Sequence, residues 1–365
     1  MINFTWWVNR KDPQRGRAEH LPGRIPRARQ HRRVRPWRGE LPTGGFINQS
    51  DGTSWMAFYS LTLMRIALEL ARAPAARSPA RWHRSDVTRL AEGLGLWDEK
   101  DEFYYDVLTT PDGNRVPLRV RSMVGLIPLF AVEVLEPEVL DKLPKFASRC
   151  QEILDKRPDL ASLVSQFEVP GVGNRRLLSL LRGQRMRSLL RRMLDPKDRV
   201  PVRLRRAGAV QGPPGGALRA RARGQDLPDR LRACRGVGEE IMGGNSNWRG
   251  PIWFPMNYLI IESLQKFHQY YGADYLVECP VASGQHCSIL AVAEDLSRRL
   301  VGLFRSSEEG RPSLRLHPKM AKDPHFRDHL LFYEHFHGDS GRGVGASHQT
   351  GWTGLVAKLI QAFGD

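Results

Sequence analysis

Residues 243–258, GGNSNWRGPIWFPMNY, constrain the fold of this chain more than any other stretch. Two Trp, three Asn, one Arg and one Tyr lie there among glycines and prolines, a mixture without the period of a core helix. A flat aromatic face beside amide and guanidinium donors suits a sugar, whose ring has apolar faces and a rim of hydroxyls. A buried turn with aromatic packing is the alternative interpretation of the same segment.

The basic charge of the chain is confined to three segments. The 365 residues carry a net charge of +17, which by itself suggests a nucleic-acid partner. Residues 13–41, 72–90 and 199–237 carry +7, +4 and +8, so the remainder of the chain is nearly neutral. We therefore expect no nucleic-acid partner, and a basic nucleic-acid-binding protein is the least favoured of the functions considered.

Cysteine usage and hydropathy favour a cytoplasmic protein without a metal centre. The four cysteines form no CxxC pair, and no two histidines have zinc-finger spacing. The chain has no run of about 18 apolar residues, so no membrane span is predicted. The N-terminal residues do not have the apolar core of a signal peptide. We expect no cofactor, no metal and no membrane partner.

Outside the basic segments, apolar periodicity predicts helices joined by long loops rich in Gly and Trp. The predicted helices cover residues 54–72, 121–135, 162–167, 175–194, 257–271, 289–304 and 353–363. The stretch 175–194 is basic and amphipathic, and we interpret it as a solvated helix; a membrane-surface or partner helix is the alternative. No stretch shows the alternation of a strand, so the sequence predicts an all-α fold with its chemistry in the loops.

Residues 323–353 contain the second informative motif, in which Glu334 lies between an aromatic run and a Gly-rich loop. We expect this carboxylate at the end of a helix, against aromatic side chains. The loop GRGVGA is similar to a phosphate-binding loop, but no predicted strand precedes it. His335 and His337 could ligate a metal ion, but no third ligand has suitable spacing, so ordinary polar contacts are the preferred interpretation.

Five segments together resemble glycoside hydrolase family 63, the family of the processing α-glucosidase I and its bacterial relatives. They are GTSWMAFYSL (52–61), GLWDEKDEFYYDVL (95–108), RSMVGLIPLFAVEVL (121–135), NSNWRGPIWFPMNYL (245–259) and FYEHFHGDSGRGVGASHQTGWTGLV (332–356). The resemblance is closest to long bacterial members and covers most of the chain outside the basic segments. It implies an (α/α)6 toroid that hydrolyses a terminal α-glucosidic bond with inversion, on an oligosaccharide or a small α-glucoside.

The resemblance also implies roles for particular residues. Glu334 matches the family's general base, which activates the attacking water. An inverting enzyme also needs a general acid, with the two carboxyl groups roughly 6.5–9.5 Å apart. The family's pocket-lining segment is matched by Trp248, Arg249 and Trp253. Further pocket candidates lie in other matched segments, namely Trp55, Trp97, His348 and Trp352.

The general acid is not found in this chain. The resemblance implies a segment like FQGGFLGLDNIGVFDR between flanks that match residues 3–12 and 41–45, where the first basic segment stands instead. Permitted codons for residues 19–37, when read one nucleotide later, encode SIFQGGFLGLDNIGVFDR. The missing Asp spans the codons of Arg29 and Gln30. We therefore interpret the basic segments as frame-shifted stretches, with disordered basic linkers as the alternative.

Residues 1–365 are thus interpreted as the C-terminal part of one catalytic domain. The toroid is expected to be incomplete at its N-terminus, and the segments 13–41, 72–90 and 199–237 are predicted to be disordered. Loss of the acid would remove a contribution of about 10²–10⁴-fold to the rate. A non-catalytic sugar-binding remnant is therefore the alternative to an active glycosidase.

The nucleotide sequence tests the frame hypothesis directly. We expect codons 19–37 to read SIFQGGFLGLDNIGVFDR in the next frame, and codons incompatible with that peptide would overturn the hypothesis. Codons 200–214 give a second comparison, because the same shift permits a helical peptide there that begins SPYG and ends RALSKAHR.

Overall fold

The computed structural model describes residues 46–72, 96–119, 121–156, 167, 169–181, 183–195, 218–222, 225–229, 248, 251–306, 310–314, 318–338 and 340–364. The chain divides into two compact units. Unit 1 takes the described residues within Met1–Leu118, Ile127–Leu189 and Gln269–Gly272. Unit 2 takes those within Arg119–Leu126, Leu190–His268 and Ala273–Asp365.

Helices account for more of the described residues than strands do. The α-helices are α1 (Ser50–Arg72), α2 (Pro137–Lys142), α3 (Pro144–Lys156), α4 (Gly183–Leu194), α5 (Phe254–Tyr271), α6 (Ile289–Gly302), α7 (Pro318–Lys322), α8 (Thr350–Thr353) and α9 (Val356–Phe363). Short 3-10 helices lie at Met123–Phe130, Val172–Asn174 and Pro312–Leu314. Within the described ranges, no helix is both long enough and apolar enough to cross a membrane.

Small antiparallel sheets correct the all-α prediction. The strands are β1 (Phe46–Asn48), β2 (Trp97–Asp98), β3 (Phe103–Tyr104), β4 (Asp106–Thr109), β5 (Arg115–Leu118), β6 (Val132–Leu135), β7 (Arg176–Ser179), β8 (Leu218–Ala222), β9 (Gln225–Asp229), β10 (Leu276–Glu278), β11 (His286–Ser288), β12 (His335–Phe336) and β13 (Gly343–Val344). One sheet has the order β1-β4-β5, and the other strands pair as β2-β3, β6-β7, β8-β9, β10-β11 and β12-β13. Strands of two to five residues are too short to show an alternating pattern in the sequence.

In unit 1, α1 confirms the helix predicted over 54–72 and begins slightly before it. Its start is fixed by Asp106 on β4, whose Oδ1 accepts hydrogen bonds from the amide of Ser50 at 2.9 Å and from its hydroxyl at 3.2 Å. A buried carboxylate at the first turn also suits the partial positive charge of a helix N-terminus. The tie therefore anchors α1 to the three-stranded sheet.

The core of unit 1 lies between α1 and β6. Met64 and Leu68, one turn apart on α1, are buried with Leu135, Val139 and Phe167. Side chains four residues apart share one face of a helix, so this pair presents a continuous apolar surface. The predicted helix over 162–167 lies outside the described residues apart from Phe167.

Two of the predicted helices are wrong in part. Residues 121–135 form a 3-10 helix followed by β6, whose four residues are all buried. Pro128 lies inside that 3-10 helix and has no amide hydrogen to donate to an α-helix. The stretch 175–194 begins as β7, which pairs with β6, and only its second part forms α4.

In unit 2, α5 and α6 confirm the helices predicted over 257–271 and 289–304. The hydroxyl of Ser288 caps α6 by accepting a hydrogen bond from the amide of Ala291 at 3.2 Å. Buried side chains of α6 recur at helical spacing, and α9 packs against this helix. The helix predicted over 353–363 forms as α9, preceded by the separate short helix α8.

The three basic segments lie largely outside the described residues. Among the described residues of these segments, Arg72 ends α1, and within 199–237 β8 and β9 pair with Leu218 opposite Asp229. The disorder of the three segments stays a prediction.

We expect Asp106→Ala to destabilise unit 1, because the substitution removes the acceptor of both Ser50 hydrogen bonds. Leaving a buried donor without its partner costs about 1–3 kcal/mol. Urea denaturation of the purified protein would measure this loss. Asp141→Ala is the control, since that carboxylate is exposed on α2. Equal effects of the two substitutions would contradict the anchoring role of Asp106.

Candidate active site

The candidate site in unit 2 is built on a short β-ladder. On β12, His335 lies opposite Val344 and Phe336 opposite Gly343 of β13. On its other side, Phe336 exchanges two backbone hydrogen bonds with Ile252, at 2.8 and 2.9 Å. This bridge joins residues 243–258, the Trp-rich segment, to the segment that carries Glu334.

Glu334 lies immediately before β12, which corrects the expectation that it stands at the end of a helix. The surrounding main chain is paired with the Gly-rich loop that follows. The Glu334 amide donates to the carbonyl of Ala346 at 2.8 Å, and the His337 amide donates to the carbonyl of Arg342 at 2.8 Å. These hydrogen bonds between segments replace those that a helix would make within itself.

Three phenylalanine rings support this ladder from the core of unit 2. Phe254, Phe304 and Phe336 contact one another, with ring centroids 5.9 to 6.2 Å apart and tilted edge to face. Phe254 and Phe336 are completely buried. Aromatic pairs in this arrangement add favourable quadrupole contacts to the burial of apolar surface. The cluster therefore fixes both the start of α5 and the strand next to Glu334.

Trp253 stacks on the imidazole of His335. Their ring centroids are 4.6 Å apart at an angle of 28°, and the two residues are only 4% and 6% exposed. Nδ1 of His335 is buried without a hydrogen-bond partner among the described residues. Burial lowers the pKa of His335, and the negative charge of neighbouring Glu334 acts in the opposite direction. The imidazole is therefore neutral at neutral pH.

Trp352, on α8, holds the main chain of Glu334. Its Nε1 donates a hydrogen bond to the Glu334 carbonyl oxygen at 3.1 Å, and its ring meets Trp253 edge to face at 6.2 Å. The next residue, Thr353, donates from its hydroxyl to the carbonyl oxygen of Tyr333 at 2.5 Å. The indole N–H of Trp352 is thus engaged within the protein and is not available to a sugar hydroxyl.

Glu334 is half-buried as a residue, and one oxygen of its carboxylate is held by the loop. Oε2 accepts a hydrogen bond from the amide of Ala346 at 3.2 Å. Within the described residues, the other carboxylate oxygen, Oε1, accepts no such hydrogen bond from a backbone amide. This arrangement fixes one oxygen and leaves the other to act on a proton, as a general base requires.

The other predicted pocket residues of unit 2 are less closely tied to Glu334. Trp248 is half-buried in a turn, and Arg249 lies outside the described residues. His348 is exposed, with its ring 5.6 Å from that of Phe332. The structure therefore brings Trp253, Trp352 and Glu334 together, and it leaves the roles of the other residues as predictions.

Trp55 and Trp97 belong to unit 1. The ring of Trp55 packs edge to face on Phe130 at 5.4 Å and is almost completely buried. The guanidinium of Arg185 lies 5.1 Å from the centre of the Trp97 ring, a cation–π contact. Each ring thus has a packing role in unit 1, and a contact of either ring with a sugar stays a prediction.

Sequence reasoning missed two residues beside the carboxylate. It considered Gly345 and Ala346 only as part of a phosphate-binding loop, yet their backbone lies against Glu334. The signal available was the placement of this Gly-rich loop a few residues after the carboxylate. For His335, sequence reasoning weighed a metal-ligand role against ordinary polar contacts, preferred the latter, and did not predict its stacking on Trp253. In the described part of the chain, no cluster of three or more His, Cys, Asp or Glu side chains could hold a metal ion.

Comparison with curated proteins gives two relatives from Saccharomyces cerevisiae. The chain is 38% identical to the uncharacterized protein YMR196W over 392 aligned residues, covering 100% of the chain and 35% of that protein. It is 26% identical to mannosyl-oligosaccharide glucosidase over 126 residues, covering 34% of the chain and 12% of the glucosidase. The chain thus spans about a third of the first relative. The second match supports a relation to the glycoside hydrolases.

No family model matches the chain. Among solved structures it is similar to the GH63 mannosylglycerate hydrolase of Thermus thermophilus in complex with Tris. That likeness has a TM-score of 0.33 and 13% identity, and it covers 87% of this chain and 45% of that one. The complex of the same enzyme with Tris and D-glycerate gives a TM-score of 0.31. Scores this low do not establish a shared fold, so the (α/α)6 toroid stays a prediction.

The buried imidazole of His335 predicts a pH-dependent stability. Since burial depresses its folded-state pKa, the stability gained from its neutral form is complete above the unfolded-state value of about 6.5 and is lost as the pH falls below it. We expect the midpoint of thermal unfolding to fall less steeply from neutral pH to about pH 5 in His335→Gln than in the wild type.

His329→Gln is the matched control for this measurement, because His329 is exposed in the same unit. It is expected to keep the wild-type slope. If His335→Gln also kept that slope, protonation of the buried imidazole would not contribute to the loss of stability.

Proposed function

We propose that the chain belongs to glycoside hydrolase family 63 and is the C-terminal part of an inverting α-glycosidase with an (α/α)6 toroid. The observation that carries the proposal is the arrangement around Glu334: one carboxylate oxygen is held by the loop, the main-chain carbonyl is bonded to Trp352, and Trp352 contacts Trp253. The partial match to mannosyl-oligosaccharide glucosidase supports it. The proposed substrate is a terminal α-glucoside of an oligosaccharide or a small molecule.

In this proposal Glu334 is the general base. Water attacks the anomeric carbon from the face opposite the leaving group, and Oε1 takes a proton from it as the new C–O bond forms. The old glycosidic bond breaks with its electron pair on the leaving oxygen, which needs a proton from the general acid. Oε2 stays on the amide of Ala346 throughout, so the base need not change its rotamer.

The aromatic residues divide into two roles. Trp253 is buried and one of its faces is covered by His335, so it supports the site from behind. Trp248 is half-buried and can offer an apolar face to the sugar ring. Arg249 and His348 are the proposed polar contacts to sugar hydroxyls.

The proposed general acid is absent from the sequence as written, and the frame hypothesis assigns it to the peptide that codons 19–37 encode in the next frame. The written chain should then cleave only substrates whose leaving group departs without a proton. Fluoride is such a leaving group, whereas a sugar alkoxide is not. α-Glucosyl fluoride therefore tests the base and the pocket independently of the acid.

We also propose a cytoplasmic location, which rests on the cysteine usage alone. Cys150, Cys279 and Cys287 are free thiols. The proposal includes no nucleic-acid partner, because the basic charge lies in the three segments interpreted as frame-shifted. It includes no membrane partner and no cofactor.

We expect the purified protein to release fluoride from α-glucosyl fluoride and to act far more slowly on disaccharide substrates. Glu334→Gln should lower fluoride release by about 10²–10⁴-fold, because the amide cannot accept the proton of the water. Proton NMR should show β-glucose as the first product. Glu138→Gln, on the exposed surface of α2, is the control and should leave turnover unchanged.

Turnover that survives in Glu334→Gln would exclude this residue as the base, and α-glucose as the first product would exclude inversion. The missing acid favours a second candidate, a sugar-binding remnant without turnover. Calorimetric binding of glucose or maltose together with no release of fluoride would identify that remnant.

A further inference from the structure

The backbone at Gly345 approaches Glu334 more closely than a residue with a side chain would allow. Gly345 has a φ of +77°, in the left-handed region that favours glycine. A Cβ placed there would lie 2.5 Å from Oε2 of Glu334, 2.9 Å from the Cβ of Glu334 and 3.0 Å from Cε1 of His335. Carbon and oxygen atoms do not approach so closely, so the carboxylate would have to move.

The main chain of Glu334 cannot move to relieve such a collision. Its amide is bonded to the carbonyl of Ala346 and its carbonyl to the indole of Trp352. The following residues are held in the ladder by Ile252 and β13. With the backbone fixed on both sides, the position of the carboxylate depends on the side-chain torsions and on the space that the loop leaves.

The same loop also binds the carboxylate that it makes room for. The bare α-carbon of Gly345 lies beside Oε2, and the amide of Ala346 donates to that oxygen at 3.2 Å. A glycine and the next amide thus select one orientation of the carboxylate, in which Oε1 is left for water.

We propose that Gly345 and the amide of Ala346 are positioning residues for Glu334, and that they set the orientation of the base relative to the attacking water. This inference rests on the role of Glu334 proposed above. It assigns the Gly-rich loop to holding a carboxylate of the protein, in place of the phosphate-binding role that its sequence suggested. A positioning role of this kind affects kcat more than KM, because the loop acts through the reacting carboxylate.

Gly345→Ala and Gly284→Ala form a matched pair. Gly284 has a φ of +72°, but a Cβ there would meet nothing within 4 Å. Both glycines are exposed in unit 2, so the cost of placing alanine at positive φ is common to the two variants. Only Gly345→Ala adds a collision with the carboxylate.

With α-glucosyl fluoride as the probe, we expect Gly345→Ala to lower kcat about 100-fold, as a displacement of a reacting group by about 1 Å does, with little change in KM. Gly284→Ala should keep the wild-type kcat. In a Glu334→Gln background, Gly345→Ala should cause no further loss, since the two substitutions act through one group. If the two substitutions instead lower kcat by factors that multiply in the double variant, Gly345 has a merely structural role and the inference is overturned.

An NMR measurement tests the geometry without turnover. We expect solvent exchange of the Ala346 amide hydrogen to be slowed by its bond to Oε2 of Glu334 in the wild type and in Gly284→Ala. The exchange should become faster in Glu334→Ala, which removes the acceptor, and in Gly345→Ala, which displaces it. If the wild type shows this protection but no turnover, the proposed function fails and the positioning geometry stands. Unchanged exchange in Gly345→Ala would overturn the inference.

Discussion

The two backbone hydrogen bonds between Ile252 and Phe336 are the constraint on which the candidate site depends. Ile252 immediately precedes Trp253, and Phe336 immediately follows His335, so the bridge determines that the indole and the imidazole meet. A slip of one residue would exchange the faces of His335 and Phe336. The imidazole would then enter the phenylalanine cluster, and a phenyl ring would replace it beside Trp253.

This constraint answers the question raised by the Trp-rich segment, whether its aromatic residues pack or bind sugar. The two interpretations apply to different residues. Trp253 packs, since it is buried between His335 and the edge contact with Trp352. Trp248, half-buried a few residues earlier, is the residue on which the proposed sugar stacking depends. In the proposed function, the motif therefore contains both a residue that supports the site and the residue proposed to contact the sugar.

The sequence predicted the long elements better than the short ones. α1, α5 and α6 were predictable because each presents several turns of helical periodicity. Residues 121–135 were not, because a stretch that is buried on every side has no period to separate a helix from a strand. The family motifs indicated Glu334, Trp253 and Trp352, which the structure brings together. Gly345 was not predictable, since its role depends on a backbone angle and on a neighbour that pairing across the ladder supplies.

The contact of Trp352 with the Glu334 carbonyl also links the site to the last helices of the chain. α8 is only four residues long, and it is followed after two residues by α9, which packs against α6 and has Val356 and Leu359 buried. The position of the indole, and with it the main chain of Glu334, therefore depends on the packing of these helices. In a genetic screen for the proposed activity, substitutions of the buried side chains of α9 would cause losses in a protein whose site residues are all intact.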